Sequence, residues 1–318
     1  MDTHNNDILI IGAGMAGLTC ATRLAAAGYS VTVLDKGRGP GGRMAARRAE
    51  IAGETVSFDH GAQYFTARDP GFQEVVSKWE ETGAVARWTA AGGDAWVGTP
   101  GMNGPIRAMA EPLDVQWGTR AEGIACEGTR WKVKAGERVF AASTVLVAIP
   151  AEQTRELLSA TAPQFAAIAG GVTSEPCWAV MAAFDRPLLI AKDAMRDPEA
   201  AIAWAARNSA KPGRKDTEAW VLHASPKRSR EVLDVPKEEA AALLLADFFD
   251  QTGIDPVGPL HCVAHRWLYA MPERVAGEPA RYDAEARIGI AGDYLHSPRV
   301  EGAFVSGRAL AAQVLAHP

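Results

Sequence analysis

The stretch Asp7-Ile8-Leu9-Ile10-Ile11-Gly12-Ala13-Gly14-Met15-Ala16-Gly17 decides the fold of this chain. Residues 8–11 form a continuous apolar, mostly β-branched run, which is typical of a buried parallel strand. Gly12, Gly14 and Gly17 follow it in a G-x-G-x-x-G pattern. The stretch therefore predicts a strand that ends in a tight, glycine-rich turn.

A helix and a second strand are predicted after the glycines. Residues 15–27 are rich in Ala and Leu, and Gly28 is placed to cap the end of that helix. Residues 29–34 have the composition of another strand, which is followed directly by Asp35. Together with the first strand, these segments have the order of a dinucleotide-binding βαβ unit.

Each part of this unit has a physical role in binding a dinucleotide. The first glycine permits the tight turn, the second lets the backbone approach a pyrophosphate, and the third lets the helix pack close to the sheet. The helix N-terminus offers free N–H groups to phosphates, and the acid after the second strand hydrogen-bonds a ribose. The predicted binding residues are Gly12, Gly14, Met15, Ala16, Gly17 and Asp35.

A second glycine cluster, residues 36–44, separates two classes of cofactor. A plain nicotinamide-binding domain has no need of it. The acid followed by Gly41-Gly42-Arg43 resembles flavoproteins of the amine oxidase group, also called the glutathione-reductase-2 type. In those proteins the glycine backbone and the arginine lie against the FAD pyrophosphate and the flavin. The resemblance implies FAD and adds Lys36, Arg38, Gly42, Arg43 and Met44 to the predicted site.

The C-terminal part resembles the same superfamily. Residues 288–293 read as a short strand ending in Gly-Asp, and a helix is predicted over residues 308–315. In FAD oxidases of this type, the aspartate lies near the ribityl chain and the following helix N-terminus faces the pyrimidine carbonyl. A helix N-terminus stabilises the negative charge of reduced flavin. The cofactor residues implied here are Gly292, Asp293, Val300, Glu301, Gly302 and Ala303.

Two further segments indicate one particular group within this superfamily. Residues 58–69 (FDHGAQYFTARD) and 264–270 (AHRWLYA) closely resemble bacterial renalase-like flavoproteins, and the similarity covers essentially the whole chain. It implies an oxidase with non-covalent FAD that takes a hydride from 2- or 6-dihydro-NAD(P). The electrons then pass to O2, which gives H2O2 and NAD(P)+. A flavin amine oxidase or desaturase acting on a small amine is the enzymatic alternative, and a flavin-binding protein without turnover is the third.

The resemblance also implies roles for residues in these segments. Gly61 and Ala62 join the cofactor site, and residues 60–64 lie along the flavin. His265 and Trp267 share one face of a predicted strand because they are two residues apart, whereas Arg266 faces the other way. A dihydropyridine gives up a hydride without losing a proton, so His265 is interpreted as a positioning residue. The implied catalytic residues are His60, Gln63, Tyr64, His265 and Trp267.

Other candidates are assigned to substrate binding or set aside. Trp204, Asn208 and His223 are the predicted substrate residues, with Asn208 as a carboxamide partner. Amine oxidases of this fold often carry a lysine near flavin N5, but no lysine here is predicted to serve, since all five candidates have polar, loop-like surroundings: Lys192, Lys211, Lys215, Lys227 and Lys237. Cys262 precedes His265 and is outside the flavin-binding tail, which favours non-covalent FAD.

The predicted fold class is α/β, with a Rossmann-like FAD-binding domain that carries a β-meander. A discontinuous α+β substrate domain built on an antiparallel sheet completes it. The FAD-binding domain is predicted to comprise residues 1–74, 100–170 and 283–318, and the substrate domain residues 75–99 and 171–282. Helices are predicted at residues 70–81 and 238–250, and strands at 88–97 and 144–150.

Composition excludes other classes of protein. The chain has 318 residues, 47% hydrophobic and 22% charged, which is ordinary for a globular protein. Its net charge of −5 argues against a nucleic-acid partner. Four widely spaced cysteines predict buried, reduced thiols, and the histidines lack metal-ligand spacing. A cytoplasmic protein without membrane association is expected, with O2 and a dihydronicotinamide dinucleotide as its small-molecule partners and an oligomeric state that the sequence leaves open.

Overall fold

The computed structural model describes residues 4–317, which form two main sheets. The strands are β1 (His4–Ile11), β2 (Val31–Leu34), β3 (Arg47–Ile51), β4 (Glu54–Phe58), β5 (Val85–Arg87), β6 (Trp96–Gly98), β7 (Asp114–Gln116), β8 (Gly123–Glu127), β9 (Arg130–Ala135), β10 (Arg138–Val147), β11 (Ser174–Ala183), β12 (Ala194–Arg196), β13 (Ile202–Arg207), β14 (Ala219–Ala224), β15 (His261–Pro272), β16 (Ala280–Asp283) and β17 (Ile288–Ala291). The helices are α1 (Met15–Ala26), α2 (Pro70–Glu81), α3 (Gly104–Ala110), α4 (Ala151–Leu158), α5 (Pro163–Gly170), α6 (Pro226–Glu231), α7 (Lys237–Thr252) and α8 (Val300–Leu315).

The larger sheet has the strand order β16-β17-β10-β1-β2-β7. Strands β17, β10, β1, β2 and β7 are parallel, whereas β16 pairs antiparallel at the edge. A meander of β8 and β9 extends from the first half of β10. This arrangement confirms the predicted α/β class, with a Rossmann-like parallel sheet and its meander.

The last helix packs directly on the first. A Cβ atom added to Gly307 of α8 would lie 2.1 Å from the carbonyl oxygen of Ala16, so only glycine allows this approach. The prediction that this helix begins at residue 308 is wrong, because it begins at Val300. The first two turns were not predicted because they contain Gly302 and Gly307, and glycine disfavours a helix. Glycine is also required at position 302, where α8 passes close to Ser297: a Cβ added to Gly302 would lie 2.0 Å from the Ser297 carbonyl oxygen.

The smaller sheet is antiparallel, as predicted, with the order β12-β13-β14-β11-β15. Helix α7 covers one face, where Trp220 and Phe248 pack with ring centroids 5.3 Å apart. On the other face, Val56 and Phe58 of the β3–β4 hairpin pack against Met181. This hairpin, a separate two-stranded sheet, therefore packs on the smaller sheet and brings the segment that follows β4 to that face.

Several sequence-based boundaries need correction. Helix α2 spans its predicted residues, and Asp69 caps it by accepting from the Phe72 N–H. The strand predicted at 144–150 begins earlier and ends at Val147. The strand predicted at 88–97 is largely wrong, because the range begins after β5, contains a 3₁₀ turn over Thr89–Ala91 and reaches a strand, β6, only at Trp96. Cys126 is exposed, so the expectation that all thiols are buried is wrong.

The division of the chain into two domains stays a prediction. Trp79 and Val97, from the segment assigned to the substrate domain, pack in the same apolar cluster as Ile10 and Leu18 of the Rossmann-like unit. Among residues 4–317, no helix is long and apolar enough to cross a membrane. The same residues contain no group of three or more His, Cys, Asp or Glu side chains arranged to hold a metal ion.

Candidate active site

The glycine turn after β1 has the geometry expected of a dinucleotide-binding unit. Gly12 has a φ of +109°, and its Cβ would lie 2.4 Å from the Ala148 oxygen. A Cβ on Gly17 would lie 1.8 Å from the Gly12 oxygen, so α1 can start against the turn only with glycine there. Met15 and Ala16, in the first turn of α1, are buried.

An open face remains at the N-terminus of α1. Around the Cβ position of Gly14 nothing lies within 4 Å, and the α carbon of Gly14 lies 3.4 Å from the Cβ position of Gly42. The second glycine loop therefore runs beside the helix N-terminus. No side chain caps this terminus, and its first turn carries no acidic residue. Free N–H groups and a positive helix end suit an anion such as a pyrophosphate.

Asp35 is held beside the same turn by two hydrogen bonds. Its carboxylate accepts from the Ala13 N–H at 2.7 Å and from the Gly37 N–H at 2.6 Å. This is the position at which an acidic side chain meets a ribose in dinucleotide sites. Lys36 and Arg38 lie on the exposed side of the loop, where the Lys36 ammonium donates to Gln153 at 2.9 Å.

Arg43 connects the second glycine loop with the C-terminal strand. Its guanidinium donates two hydrogen bonds to Asp293, at 2.8 and 2.6 Å, and the Asp293 carboxylate is buried. Arg43 also receives the segment after β4, because its carbonyl accepts from the Ala62 N–H at 2.8 Å. A Cβ on Gly61 would lie 2.1 Å from that carbonyl oxygen. Three separate segments thus meet at Arg43.

The other predicted cofactor residues surround this junction. Met44 is buried in the 3₁₀ turn after Gly42, and Gly292 lies between β17 and Asp293. The side chain of Glu301 accepts from the main-chain N–H of Asp69 at 2.6 Å, so it ties α8 to the loop before α2. Val300, Gly302 and Ala303 form the first turn of α8 with it.

The antiparallel sheet presents a row of side chains to the segment after β4. Trp204 pairs with His223, His223 with Ala179, and Ala179 with His265 in the strand register. Direct register partners in adjacent strands point to the same face. Three of the predicted site residues therefore line one row across four strands, and Trp267 follows His265 on that face.

The segment 60–64 lies against this row, and three of its residues each contact a different member of the row. The His60 ring is 4.9 Å from His265, centroid to centroid, and stacks on Trp267 at 5.2 Å. The Trp267 indole N–H donates to the main-chain oxygen of His60 at 2.8 Å. Nε2 of Gln63 lies 3.4 Å from His223 Nε2, and the Tyr64 and Trp204 rings are 5.2 Å apart. The predicted catalytic residues therefore form one cluster.

Two neighbouring residues have other contacts. Arg266 points away from the cluster, as predicted, and donates to the Leu233 oxygen at 2.5 Å. Asn208 is fully buried, and its carboxamide accepts from the Asp59 N–H at 3.1 Å and donates to the Ser57 oxygen at 2.7 Å. Asn208 thus holds the start of the segment in place, and its role as a substrate contact stays a prediction.

The three histidines of the cluster are neutral at pH 7. Burial, followed by the charges of His265, Arg47 and His223, lowers the pKa of His60 to about 4. Burial, with the charge of Lys211, lowers the pKa of His223 to about 4. The pKa of His265 is also lowered, by burial and then by Arg47 and Lys237. The other charged groups that act on these three histidines are Arg47, Lys211 and Lys237, and all three are cations.

Sequence analysis missed a buried ion-pair group behind the cluster. Lys211, interpreted as a loop residue with polar surroundings, has a fully buried side chain, so that interpretation was wrong. Its ammonium donates to Asp59 and to the Gln63 oxygen, both at 3.1 Å. Arg214 binds the same Asp59 oxygen at 2.5 Å, and the Met102 N–H donates to the other oxygen at 2.8 Å.

The charges in this group stabilise one another. Burial lowers the pKa of Lys211 to about 8, although Asp59 opposes that shift. Burial alone would raise the pKa of Asp59, but Lys211 and Arg214 hold it below its ordinary value. A sequence signal was present: an aspartate directly after a buried strand needs a cation, and residues 211–214 (KPGR) supply two.

The fold and this site define a flavin-type dinucleotide-binding oxidoreductase. Residues 10–79 match the NAD(P)-binding Rossmann-like domain, and residues 81–315 match the family described as flavin containing amine oxidoreductase. The second match covers well over half of the chain. The chain belongs to the flavin-containing amine oxidoreductase family.

Solved structures show the same fold at low identity. A triple mutant of putrescine oxidase superposes with a TM-score of 0.77 at 15% identity and covers 100% of both chains. Cyclohexylamine oxidase from Brevibacterium oxydans IH-35A superposes with a TM-score of 0.65 at 12% identity and covers 98% of this chain and 99% of that one. At these identities the likeness establishes the fold alone.

Curated relatives match over a short segment. Hydroxyneurosporene desaturase of Rubrivivax gelatinosus is 46% identical over 66 residues, which is 21% of this chain and 11% of the relative. Lysine-specific histone demethylase 1 homolog 3 of Oryza sativa subsp. indica is 36% identical over 64 residues, 20% of this chain and 8% of the relative. The matched segment thus spans about a tenth of these relatives' length.

The cofactor of this chain is FAD. The family is flavin-containing. The open face at Gly14, the carboxylate of Asp35 and the Arg43–Asp293 pair supply what a pyrophosphate, a ribose and a ribityl chain require. Cys262 pairs with Ala182 within the antiparallel sheet, away from the C-terminal tail, in keeping with non-covalent binding.

Proposed function

We propose that the chain is an FAD-dependent oxidase of the renalase type, which oxidises 2- or 6-dihydro-NAD(P). The net reaction joins the dihydronicotinamide, O2 and one proton to give NAD(P)+ and H2O2. When bound, FAD accepts the hydride of the substrate and returns the two electrons to O2. The partners in this proposal are a small-molecule substrate and O2, and the expected location is the cytoplasm.

One observation carries the proposal: the cluster at residues 60–64 offers flat, uncharged walls. His60, His223 and His265 are neutral, and Trp267 and Trp204 add aromatic faces. A dihydronicotinamide is a flat, neutral ring with a carboxamide, which such walls stack upon and hydrogen-bond. The oxidation needs no general base, because no proton leaves with the hydride.

The charges around the cluster argue against binding of a protonated amine. The cations Arg47, Lys211 and Lys237 act on the histidines, and the buried carboxylate of Asp59 is already paired with two cations. A cationic substrate therefore finds no free counter-ion among these groups. Neutral histidines orient the ring and exclude water, and they leave the substrate uncharged.

A second candidate is a flavin amine oxidase or desaturase acting on a small amine. Family membership and the likeness to putrescine oxidase and cyclohexylamine oxidase favour it. An amine that binds in its neutral, unprotonated form needs no counter-ion in the site. The two candidates differ in the molecule that delivers the hydride.

Anaerobic mixing distinguishes the candidates. The FAD-loaded protein is mixed with 6-dihydro-NAD, with 2-dihydro-NAD, or with putrescine and cyclohexylamine, and bleaching of the oxidised flavin band is followed. We expect rapid bleaching by a dihydronicotinamide, and H2O2 on admission of air. Bleaching by amines alone overturns the proposal in favour of the second candidate. Stable yellow protein with every substrate points to a flavin-binding protein without turnover.

A further inference from the structure

The buried ion-pair group behind the cluster carries a net positive charge. Asp59 supplies one negative charge, whereas Lys211 and Arg214 supply two positive ones, at 3.1 and 2.5 Å from the same carboxylate oxygen. All three side chains are at most 1% exposed. Among residues 4–317, Asp59 is the only carboxylate that forms an ion pair with either cation. One of the two positive charges is therefore left without an acidic partner.

The other contacts of the two cations are with neutral groups. Their partners are the Gln63 side-chain oxygen at 3.1 Å, the Trp88 ring at 5.2 Å, and the main-chain oxygens of Gly98 and Pro212, both at 2.6 Å. These contacts replace water around Lys211 and Arg214, but they do not cancel a charge. A buried charge without a counter-ion costs free energy, and neutralising Asp59 would need only one of the two cations. The second cation therefore calls for a functional explanation.

The group contacts the segment that is predicted to lie along the flavin. Gln63, which accepts from Lys211, belongs to residues 60–64, and the main chain of this segment also hydrogen-bonds Arg43 of the cofactor site at 2.8 Å. The charge of Lys211 acts on the wall of the site, since it is the second cause, after burial, of the lowered pKa of His223. The net charge therefore lies beside the predicted flavin position, where little water screens it.

Reduction by a hydride changes the charge of the flavin ring. The ring of oxidised FAD is neutral, and a hydride brings two electrons and one proton, so the reduced ring carries one negative charge. The donor loses the same hydride and becomes one charge more positive. We propose that the net positive charge of Lys211, Arg214 and Asp59 stabilises reduced FAD relative to oxidised FAD and so raises its reduction potential. This goes beyond the proposed function, because it holds for any hydride donor.

The reduction potential of bound FAD tests the proposal. Lys211→Met keeps a side chain of similar length and removes one cation, so the group becomes a neutral Arg214–Asp59 pair. We expect the equilibrium constant for two-electron reduction of bound FAD to fall about tenfold at pH 7, the equivalent of about 30 mV. Anaerobic titration of the full-length, FAD-loaded protein against reference dyes of known potential measures the change. An unchanged potential overturns the proposal.

The affinity for oxidised FAD distinguishes a lost charge from a distorted site. Titration of the apoprotein gives the dissociation constant of oxidised FAD, and the measured potential then gives that of reduced FAD. Loss of the charge in Lys211→Met should weaken binding of the reduced form about tenfold more than binding of the oxidised form. A distorted site would weaken both forms equally and leave the potential unchanged. That result would assign Lys211 a structural role alone and overturn the proposal.

Two further variants complete the test. Lys132→Met removes an exposed lysine that pairs with Glu127 on the meander, so solvent screening should leave the potential unchanged. A shift as large as that of Lys211→Met would trace the effect to the overall charge of the protein and overturn the proposal. Arg214→Gln also leaves one cation on Asp59 and decides the question if Lys211→Met does not fold: the potential should fall, and an unchanged value contradicts the proposal. Far-UV circular dichroism and the flavin absorbance verify that each variant is folded and loaded.

Discussion

Arg43 and Asp293 are 250 residues apart in the chain and form a bidentate ion pair, with contacts of 2.8 and 2.6 Å. The pair brings the second glycine loop to the end of the C-terminal strand. Bidentate arginine–carboxylate pairs are the stronger and more directional ion pairs in proteins. The aspartate is buried, so the contact is screened less than a surface pair. The two ends of the FAD site are therefore held together by a specific contact.

Loss of this pair should weaken FAD binding. Asp293→Asn removes the negative charge and leaves Arg43 without its counter-ion, so we expect the FAD dissociation constant to rise at least about tenfold, the equivalent of about 1.4 kcal/mol. Titration of the apoprotein with FAD, followed by flavin fluorescence, measures the change. Glu175→Gln is the control, because it breaks the exposed pair with Arg230 and should leave affinity unchanged. Equal affinities in Asp293→Asn and the unsubstituted protein would show that the pair does not shape the site.

The glycines of the first turn should separate binding from folding. Gly14 has open space around its Cβ position, so Gly14→Ala should fold with an unchanged unfolding midpoint. The added methyl occupies the face assigned to the pyrophosphate, so FAD affinity should fall about tenfold or more. In Gly17→Ala the Cβ would lie 1.8 Å from the Gly12 oxygen, so the apoprotein should lose stability.

Gly93→Ala controls for the loss of glycine itself, since its Cβ position is also open but lies in another loop. Chemical unfolding of each apoprotein and an FAD titration give both quantities. A Gly14→Ala variant that binds FAD normally would place the pyrophosphate elsewhere.

Local pattern predicted much of the fold and site. The glycine unit, the span of α2 and the shared face of His265 and Trp267 all follow from short-range spacing, which sequence records directly. Lys211 was misinterpreted, because its burial depends on Asp59, 152 residues away, and local polarity indicates only an exposed loop. The early start of α8 was missed for the opposite reason, since glycines that allow close packing look like helix breakers.

Burial of neutral histidines should make stability depend on pH. The pKa of His60 and that of His223 are each lowered from 6.5 to about 4, mainly by burial. The unfolded chain therefore takes up protons near pH 6.5, which the folded protein refuses until about pH 4. The stabilisation is complete above about pH 6.5 and is lost as the pH falls toward 4. Each histidine contributes a slope of up to about 1.4 kcal/mol per pH unit.

Urea unfolding at pH 7, 6 and 5 measures this slope. We expect His60→Gln to reduce the slope of unfolding free energy against pH by the contribution of one proton, about 1.4 kcal/mol per pH unit. His317→Gln, at an exposed position after α8, is the control and should leave it unchanged. A slope that His60→Gln does not alter would show that His60 takes up a proton as readily in the folded state as in the unfolded chain.

The indole N–H of Trp267 should matter more for catalysis than for folding. It donates to the His60 oxygen at 2.8 Å, and the two rings stack at 5.2 Å. Trp267→Phe keeps an aromatic face but removes the hydrogen bond, which costs about 1 kcal/mol of unfolding free energy. Because the His60 main chain is no longer fixed, the rate of flavin reduction should fall about tenfold.

Trp220→Phe is the matched control for Trp267→Phe. Its indole also donates one hydrogen bond, to Glu218 at 2.7 Å, but it lies on the opposite face of the sheet among the residues that contact α7. Unfolding experiments should give a loss of stability of similar size, whereas anaerobic flavin reduction should proceed at the unsubstituted rate. If both variants slow flavin reduction equally, the effect of Trp267→Phe comes from destabilisation of the sheet. It then does not come from the hydrogen bond between Trp267 and His60.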